Sequence, residues 1–460
     1  MSDAGAGDDL LEMDVVDLAY GGDAVGRHNG RAIFVPGAIP GERVRLRVVS
    51  ERKNYARGEL VEVLRPSPDR IAPRYPELAE SGGFQWQYIA YPAQLAWKTR
   101  IVQQLLQRVG RFTQPPVVQT IGMPEGSDLW RYRTVAQFAI GPDGAIGFRR
   151  ASSHDVLDMA GCPIVHPALD ALYRAVRDWI RAAWGADAAR YTERFTLRVA
   201  ANPPERAPDA APADGVGLLT IEARSASAFA EIEDVMAFAN RMRRELPGLA
   251  GVVILGIPGG RGRVVAGSDY IYERVLDKTY RISAGSFFQV NAAQTPALVR
   301  EARAAANLAP SDRLLDGYSG VGLFSLILAD DADAVHAIES QPSAVNDARA
   351  SAILNGAANM TVTEGVLERV LGALQPPRDR ADAALVDPPR AGCHPRALSE
   401  IQRLAPRTFV YVSCDPSTLA RDLRMMCDNG YRLVSVQPVD MFPFTAHIEC
   451  VARCERVETA

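Results

Sequence analysis

Leu314-Leu-Asp-Gly-Tyr-Ser-Gly-Val-Gly-Leu-Phe324 is the stretch that decides the fold. Two apolar residues lead into an acid, three glycines follow, and apolar residues resume, which is how a buried strand turns sharply into a helix. Glycines at such a turn let a ligand come close against the backbone. From Ala284 onward, apolar runs near Leu314, Val335, Leu385 and Val410 alternate with Ala-rich helical stretches such as Ser343 to Asn355. This rhythm predicts an α/β domain with a doubly wound, mainly parallel sheet, and Val434 to Cys454 is expected to add strands at an antiparallel edge.

The turn also indicates what it binds. Glu339 follows Ala334-Val-His-Ala-Ile about twenty residues on and should close the next strand, where an acid can take ribose hydroxyls. On spacing alone a dinucleotide fits. The order Gly-x-x-Gly-x-Gly, however, is not the pyrophosphate fingerprint Gly-x-Gly-x-x-Gly, which favours a cofactor with one adenosine and no phosphates, S-adenosylmethionine. Asp316 and Gly320 are the candidate contacts within the turn.

A second stretch, Phe409-Val-Tyr-Val-Ser-Cys-Asp-Pro-Ser-Thr-Leu-Ala-Arg-Asp422, places Cys414 between an apolar strand and a helix. Asp415 is a good N-cap, and Pro416 suits the first helical position. A thiol there is expected to face unpaired amide donors and the positive end of a helix dipole, favouring thiolate. The ordinary alternative is a small buried core cysteine. Ala384-Leu-Val-Asp-Pro-Pro-Arg-Ala-Gly392 reads as another strand ending in an acid, Asp387, and a rigid turn.

Composition bounds the rest. A chain of 460 residues should hold two to three domains. A net charge of −4 does not suggest a wholesale nucleic-acid binder, so local patterning matters more. Six cysteines without a Cys-x-x-Cys pair argue against a disulfide framework and a zinc finger. The acidic start lacks an apolar leader and no long apolar run follows, so a cytoplasmic protein with no membrane association is expected.

Near the N-terminus, Arg43-Val-Arg-Leu-Arg-Val-Val49 alternates strictly, with Arg43, Arg45 and Arg47 on one face and Val44, Leu46 and Val48 on the other. With Lys53 close by, this suggests a small oligonucleotide-binding type barrel with a cationic face, the alternative being a solvated edge strand. Trp130-Arg-Tyr-Arg133 and Phe148-Arg-Arg150 interleave arginines with aromatics, a combination suited to gripping single-stranded RNA through Arg131 and Arg133. Tyr91 to Val109 has helical spacing, and Asn202 to Gly215 reads as a mobile loop.

Five motifs occur in register: Asp316-Gly-Tyr-Ser-Gly-Val-Gly322, Ser286-Phe-Phe-Gln-Val-Asn291, Asp387-Pro-Pro-Arg-Ala-Gly392, Val412-Ser-Cys-Asp-Pro416 and Asp440-Met-Phe-Pro-Phe-Thr-Ala-His-Ile-Glu449. Together they resemble the RNA uracil-C5 methyltransferase family. The resemblance implies a TRAM-like β-barrel over 8–68, a middle α+β RNA-binding domain over 69–90 and 124–275, and a Rossmann-like methyltransferase domain over 91–123 and 276–456. It also implies Cys414 as nucleophile, Glu449 as base, and Gln289, Tyr318, Glu339 and Asp387 as cofactor contacts. Val366 stands where relatives usually carry a polar residue at the adenine. The partner implied is RNA, ribosomal RNA first and transfer RNA second, with no obligate protein partner. An amino-group methyltransferase using Asp-Pro-Pro, or an RNA-binding or folding factor without catalysis, are the rival readings. Many relatives also carry an iron–sulfur cluster. Here Tyr75, Ser81 and Phe84 stand in place of three ligands and only Cys162 remains, so no cluster and no other metal are expected, and the rings of Tyr75 and Phe84 should fill the space.

Overall fold

A computed structural model describes residues 10–150, 153–205, 215–224, 235–246, 248–255 and 263–457. Residues 1–9 and most of the expected 202–215 loop lie outside them. Five strands, β1 (Leu10–Leu18), β2 (Ala24–His28), β3 (Arg31–Val35), β4 (Arg43–Glu51) and β5 (Tyr55–Arg65), close a barrel in the order β1-β2-β3-β5-β4. Its interior follows from the alternation in β4: Val44 and Leu46 are fully buried while the arginines point outward. Closure pairs β4 on both sides, so the strand is not an edge.

The middle region forms a sheet in the order β12-β11-β10-β9-β6-β7-β8. Its strands are β6 (Val135–Ile140), β7 (Ile146–Arg149), β8 (Val156–Asp158), β9 (Thr192–Val199), β10 (Gly215–Ala223), β11 (Gly248–Leu255) and β12 (Arg263–Gly267). Leu169, Tyr173, Val176 and Ile180 of the helix Pro167–Trp184 recur at helical spacing and share a core with this sheet. A hairpin of β13 (Tyr270–Val275) and β14 (Lys278–Ser283) follows, and the expected domain boundary at 275/276 falls at its turn.

The last sheet has the order β17-β16-β15-β18-β19-β21-β20. It comprises β15 (Arg313–Gly317), β16 (Ala334–Glu339), β17 (Met360–Glu364), β18 (Ala383–Val386), β19 (Thr408–Ser413), β20 (Tyr431–Val439) and β21 (Glu449–Arg456). The first five are parallel, and β21 lies antiparallel between β19 and β20. Strand order reverses between β15 and β18, so a crevice opens beyond their carboxyl ends, where open α/β sheets bind ligands. The glycine turn leaves one of these strands and Asp387 ends the other. The helix Tyr91–Arg108 joins this domain in one core that also takes in the barrel and the fully buried Trp86.

Candidate active site

The glycine turn departs from β15 with Tyr318, Gly320 and Gly322 at φ of 59°, 56° and 83°, the left-handed region in which glycine is unstrained. Glu339, at the end of β16, anchors it: Oε2 accepts the Gly320 N–H at 2.9 Å, and Oε1 accepts the N–H groups of Ser340 and Gln341, both at 2.7 Å. Asp316 is fully buried beneath the turn and takes a short hydrogen bond from the Ser325 hydroxyl. Burial pushes its carboxyl up to about 7, against the Ser325 hydrogen bonds and with a contribution from Glu339. The Asp387 N–H donates to the Gly317 carbonyl at 3.3 Å, which sets its carboxyl beside the same crevice. The Tyr318 hydroxyl accepts the His394 N–H at 3.3 Å. Asp316, Tyr318, Gly320, Glu339 and Asp387 thus gather at one end of the sheet. Gln289 stands on a separate buried segment, beside Thr134, Arg198 and Glu273. That segment is held by Arg198 donating to the Ser286 carbonyl at 2.7 Å and by Asp347 accepting the Ser286 hydroxyl at 2.6 Å. Val366 is 42% exposed at the start of the helix Leu367–Ala373.

Cys414 follows β19, and Asp415 caps the helix Pro416–Asp428 by accepting the N–H groups of Ser417 and Thr418 at 2.9 and 3.0 Å. The cap corrects the expected thiolate. Two of the helix amides that were to stabilise a sulfur anion are taken by Asp415. Burial pushes the thiol up to about 12, with the carboxyls of Glu449 and Asp387 adding and Arg390 opposing. Glu449, the first residue of β21, is 2% exposed, and burial, helped by Asp387, raises its carboxyl well above the usual range. Cys414, Glu449, Asp387 and Arg390 therefore act on one another electrostatically at the ends of three neighbouring strands. Arg390 was not among the sequence candidates, and its position within Asp387-Pro-Pro-Arg390 was the available signal.

The loop leading to Glu449 is pinned from outside the sheet. Lys98, fully buried, donates to Asp440 Oδ1 at 2.6 Å and to the Phe442 carbonyl at 3.0 Å. Gln94 Oε1 accepts the Phe444 N–H at 2.9 Å, and the Trp86 N–H donates to the Phe444 carbonyl at 2.9 Å. His447 packs edge-on to Phe442, and burial drives its imidazole down to about 4.

The expected RNA-contacting residues fare differently. Arg43 pairs with Glu12 and Asp14, Arg45 with Glu12 and Glu62, and Arg47 with Glu59, so this face is a ladder of both charges rather than a bare cationic stripe. The sequence separates these acids from the arginines by a strand or more, which hid the pairing. Lys53 is exposed between β4 and β5. Arg131 is exposed and 3.9 Å from Asp128, while Arg133 Nε donates to the Val135 carbonyl at 2.8 Å. Trp130 and Tyr132 are buried, which corrects their reading as rings offered to RNA. Trp130 instead stacks on Phe444 at 4.1 Å and Phe84 at 5.9 Å and meets Tyr75 edge-on at 4.9 Å. Tyr75 and Phe84 thus pack into one apolar cluster with Cys162, whose thiol burial pushes up to about 12. Among the described residues no three His, Cys, Asp or Glu side chains gather as a metal site.

The family model described as tRNA (Uracil-5-)-methyltransferase matches residues 252–457, and that of the TRAM domain matches residues 10–61. A protein of Halalkalibacterium halodurans, described as an uncharacterized RNA methyltransferase, is 37% identical over 97% of this chain and 97% of its own length. A protein of Gloeobacter violaceus with the same description is 36% identical over 97% of this chain and 96% of its own. Among solved structures, the Pyrococcus abyssi tRNA (uracil-54, C5)-methyltransferase in complex with S-adenosyl-L-homocysteine superposes with a TM-score of 0.70 at 24% identity, covering 96% of this chain and all of that one.

Proposed function

Because this chain belongs to the S-adenosylmethionine-dependent RNA uracil-5 methyltransferase family, we propose that it methylates C5 of a uridine in structured RNA, with Cys414 as nucleophile and Glu449 as base. The observation that carries the reading is the meeting of Cys414, Glu449 and Asp387 beside the glycine turn.

The crevice suits S-adenosyl-L-methionine. Asp316 Oδ1 and Ser319 Oγ are buried without a hydrogen-bond partner among the described residues, and a Cβ at Gly320 would meet nothing within 4 Å. Asp316, Asp387 and Glu449, all raised by burial, make an acidic surrounding that a cationic group relieves. Asp316, Tyr318, Gly320, Glu339 and Asp387 would hold the cofactor; Gln289, on its separate segment beside Arg198 and Glu273, joins them on the family resemblance alone. When bound, it supplies an electrophilic methyl group on a sulfonium.

Uracil C5 is a poor nucleophile until C6 is saturated. The Cys414 sulfur adds to C6, which breaks the aromatic system and makes C5 enolate-like. Arg390 is the cation that favours the thiolate here, against Glu449 and Asp387. Once C5 carries a methyl group and its original hydrogen, Glu449 removes that hydrogen and the Cys414 sulfur departs, restoring the ring. Burial raises the affinity of Glu449 for a proton, so its ionised form is a stronger base than an exposed carboxylate, and the group has to be ionised before it can take the C5 hydrogen. The target base has to leave its stack to reach these groups.

Ribosomal RNA is the first candidate substrate, supported by the N-terminal TRAM barrel. Transfer RNA is the second, favoured by the fold shared with the Pyrococcus abyssi enzyme. Nucleoside mass spectrometry of both RNA pools from a deletion strain tests this. Loss of 5-methyluridine from ribosomal RNA is expected, loss from transfer RNA alone moves the substrate, and loss of an N-methylated base instead overturns the reading.

A further inference from the structure

The turn between β1 and β2 places a barrel residue on Asp415, directly after the thiol-bearing Cys414. The Tyr20 hydroxyl donates to Asp415 Oδ2 at 2.9 Å, across 395 positions of sequence. Asp415 follows Cys414 directly, and its other oxygen caps the helix. Burial and the bond to Asp415 raise the phenol, with Cys414 adding and Arg390 opposing. The turn itself is fixed. Ala19 N–H donates to the Asp23 carbonyl at 2.9 Å, Gly22 N–H to the Ala19 carbonyl at 3.0 Å, and Trp86 Nε1 to the Gly22 carbonyl at 3.2 Å. Gly22 has φ of +102°, and a Cβ there would meet the Ala446 Cβ at 3.0 Å and Trp86 Nε1 at 3.1 Å. The barrel therefore rests by its backbone on the loop that leads to Glu449. Tyr20 nevertheless keeps 36% of its surface open to solvent.

A structural tie needs only the hydroxyl, and a buried ring would serve it better. A ring clamped at its far end on the residue after the nucleophile, held on a rigid turn and still 36% exposed, has the properties of a stacking platform: much of its entropy is already lost, and it keeps surface to offer. RNA that gives up a uridine to a pocket leaves the neighbouring base without a stacking partner. Resting on the reading of the site given above, we propose that Tyr20 is a substrate-positioning residue of the barrel, whose ring stacks on a base flanking the target uridine. The TRAM barrel then completes the active site rather than merely adding affinity at a distance.

The test uses full-length protein, saturating S-adenosylmethionine, and unmodified transcripts of ribosomal and transfer RNA. Tyr20→Leu removes the ring, Tyr20→Phe keeps it and removes the hydroxyl, and Tyr20→Trp restores a larger ring. Tyr20→Leu should raise the KM for RNA and weaken equilibrium RNA binding by about 5- to 150-fold, the usual span for losing one stacked base. Cofactor affinity should stay at the wild-type value, and the thermal midpoint of Tyr20→Leu should match that of Tyr20→Phe, which loses the same bond to Asp415. Tyr20→Phe and Tyr20→Trp should remain within about threefold of wild type. Equal loss in Tyr20→Phe and Tyr20→Leu would place the effect in the bond to Asp415 and overturn the proposal, as would wild-type binding by Tyr20→Leu. If the wild-type protein makes no 5-methyluridine in either transcript, the functional reading fails, and the binding comparison still decides the role of Tyr20.

Discussion

Cys414 has to lose its proton before its sulfur can add to a pyrimidine, yet burial, Glu449 and Asp387 all favour the protonated form. A group raised in this way is increasingly ionised as pH rises, so kcat/KM for RNA should climb through the neutral range by up to about tenfold per pH unit and still be rising near pH 9. A plateau already reached near pH 7 would show that the thiol is ionised in the free protein. Arg390→Gln removes the opposing cation, so single-turnover methylation at neutral pH should slow by about tenfold or more. The two proposed reacting residues separate by what accumulates. Cys414→Ala should give neither a covalent adduct nor methyl transfer. Glu449→Gln should trap a denaturant-resistant protein–RNA complex carrying one new methyl group, because only the departure of the sulfur waits on the C5 hydrogen. Turnover by Glu449→Gln at the wild-type rate would place the base elsewhere.

At the scale of elements, the loop from Asp440 to Glu449 is held by a buried ion pair that repays its desolvation only while both partners are present. Burial lowers the ammonium affinity of Lys98 for its proton, and Asp440 opposes that shift. Lys98→Met would leave the Asp440 carboxylate without its cation, and a loss of about 3–5 kcal/mol in denaturant unfolding is expected. Neither partner was legible as a pair, since 342 positions separate them and periodicity reports only near neighbours. Local signals read well by contrast. The turn at Gly317 to Gly322, the cap at Asp415, the helix Tyr91–Arg108 and the alternation of Arg43 to Val48 stand as the spacing predicts, because each is decided by a few adjacent residues. The thiolate and the aromatic grip at Trp130 failed for the same reason the ion pair stayed hidden. Charge around Cys414 and burial of Trp130 are set by strands distant in sequence.

At the scale of the whole molecule, a chain of net charge −4 meets a polyanion, so association has to run through local cationic surface. The barrel face carries arginines, but each is matched across the strands by a carboxylate: Glu12 and Asp14 on β1, Glu59 and Glu62 on β5. These pairs are exposed, and surface pairs of this kind are worth about 1 kcal/mol or less each, so a phosphate can compete for the guanidinium at modest cost. This makes the acids as informative as the arginines. If the face binds RNA, Arg43→Ala, Arg45→Ala and Arg47→Ala together should weaken binding and flatten its salt dependence by up to about 2–3 in log–log slope. Glu12→Gln with Glu62→Gln should do the opposite, tightening binding at low salt, because Arg45 then loses both of its competitors. Fluorescence anisotropy across a salt series measures both. Unchanged affinity and slope in the two sets would mark the ladder as a solvated face whose charges serve the barrel alone, and would move the RNA path toward Lys53, Arg131 and the open ring of Tyr20.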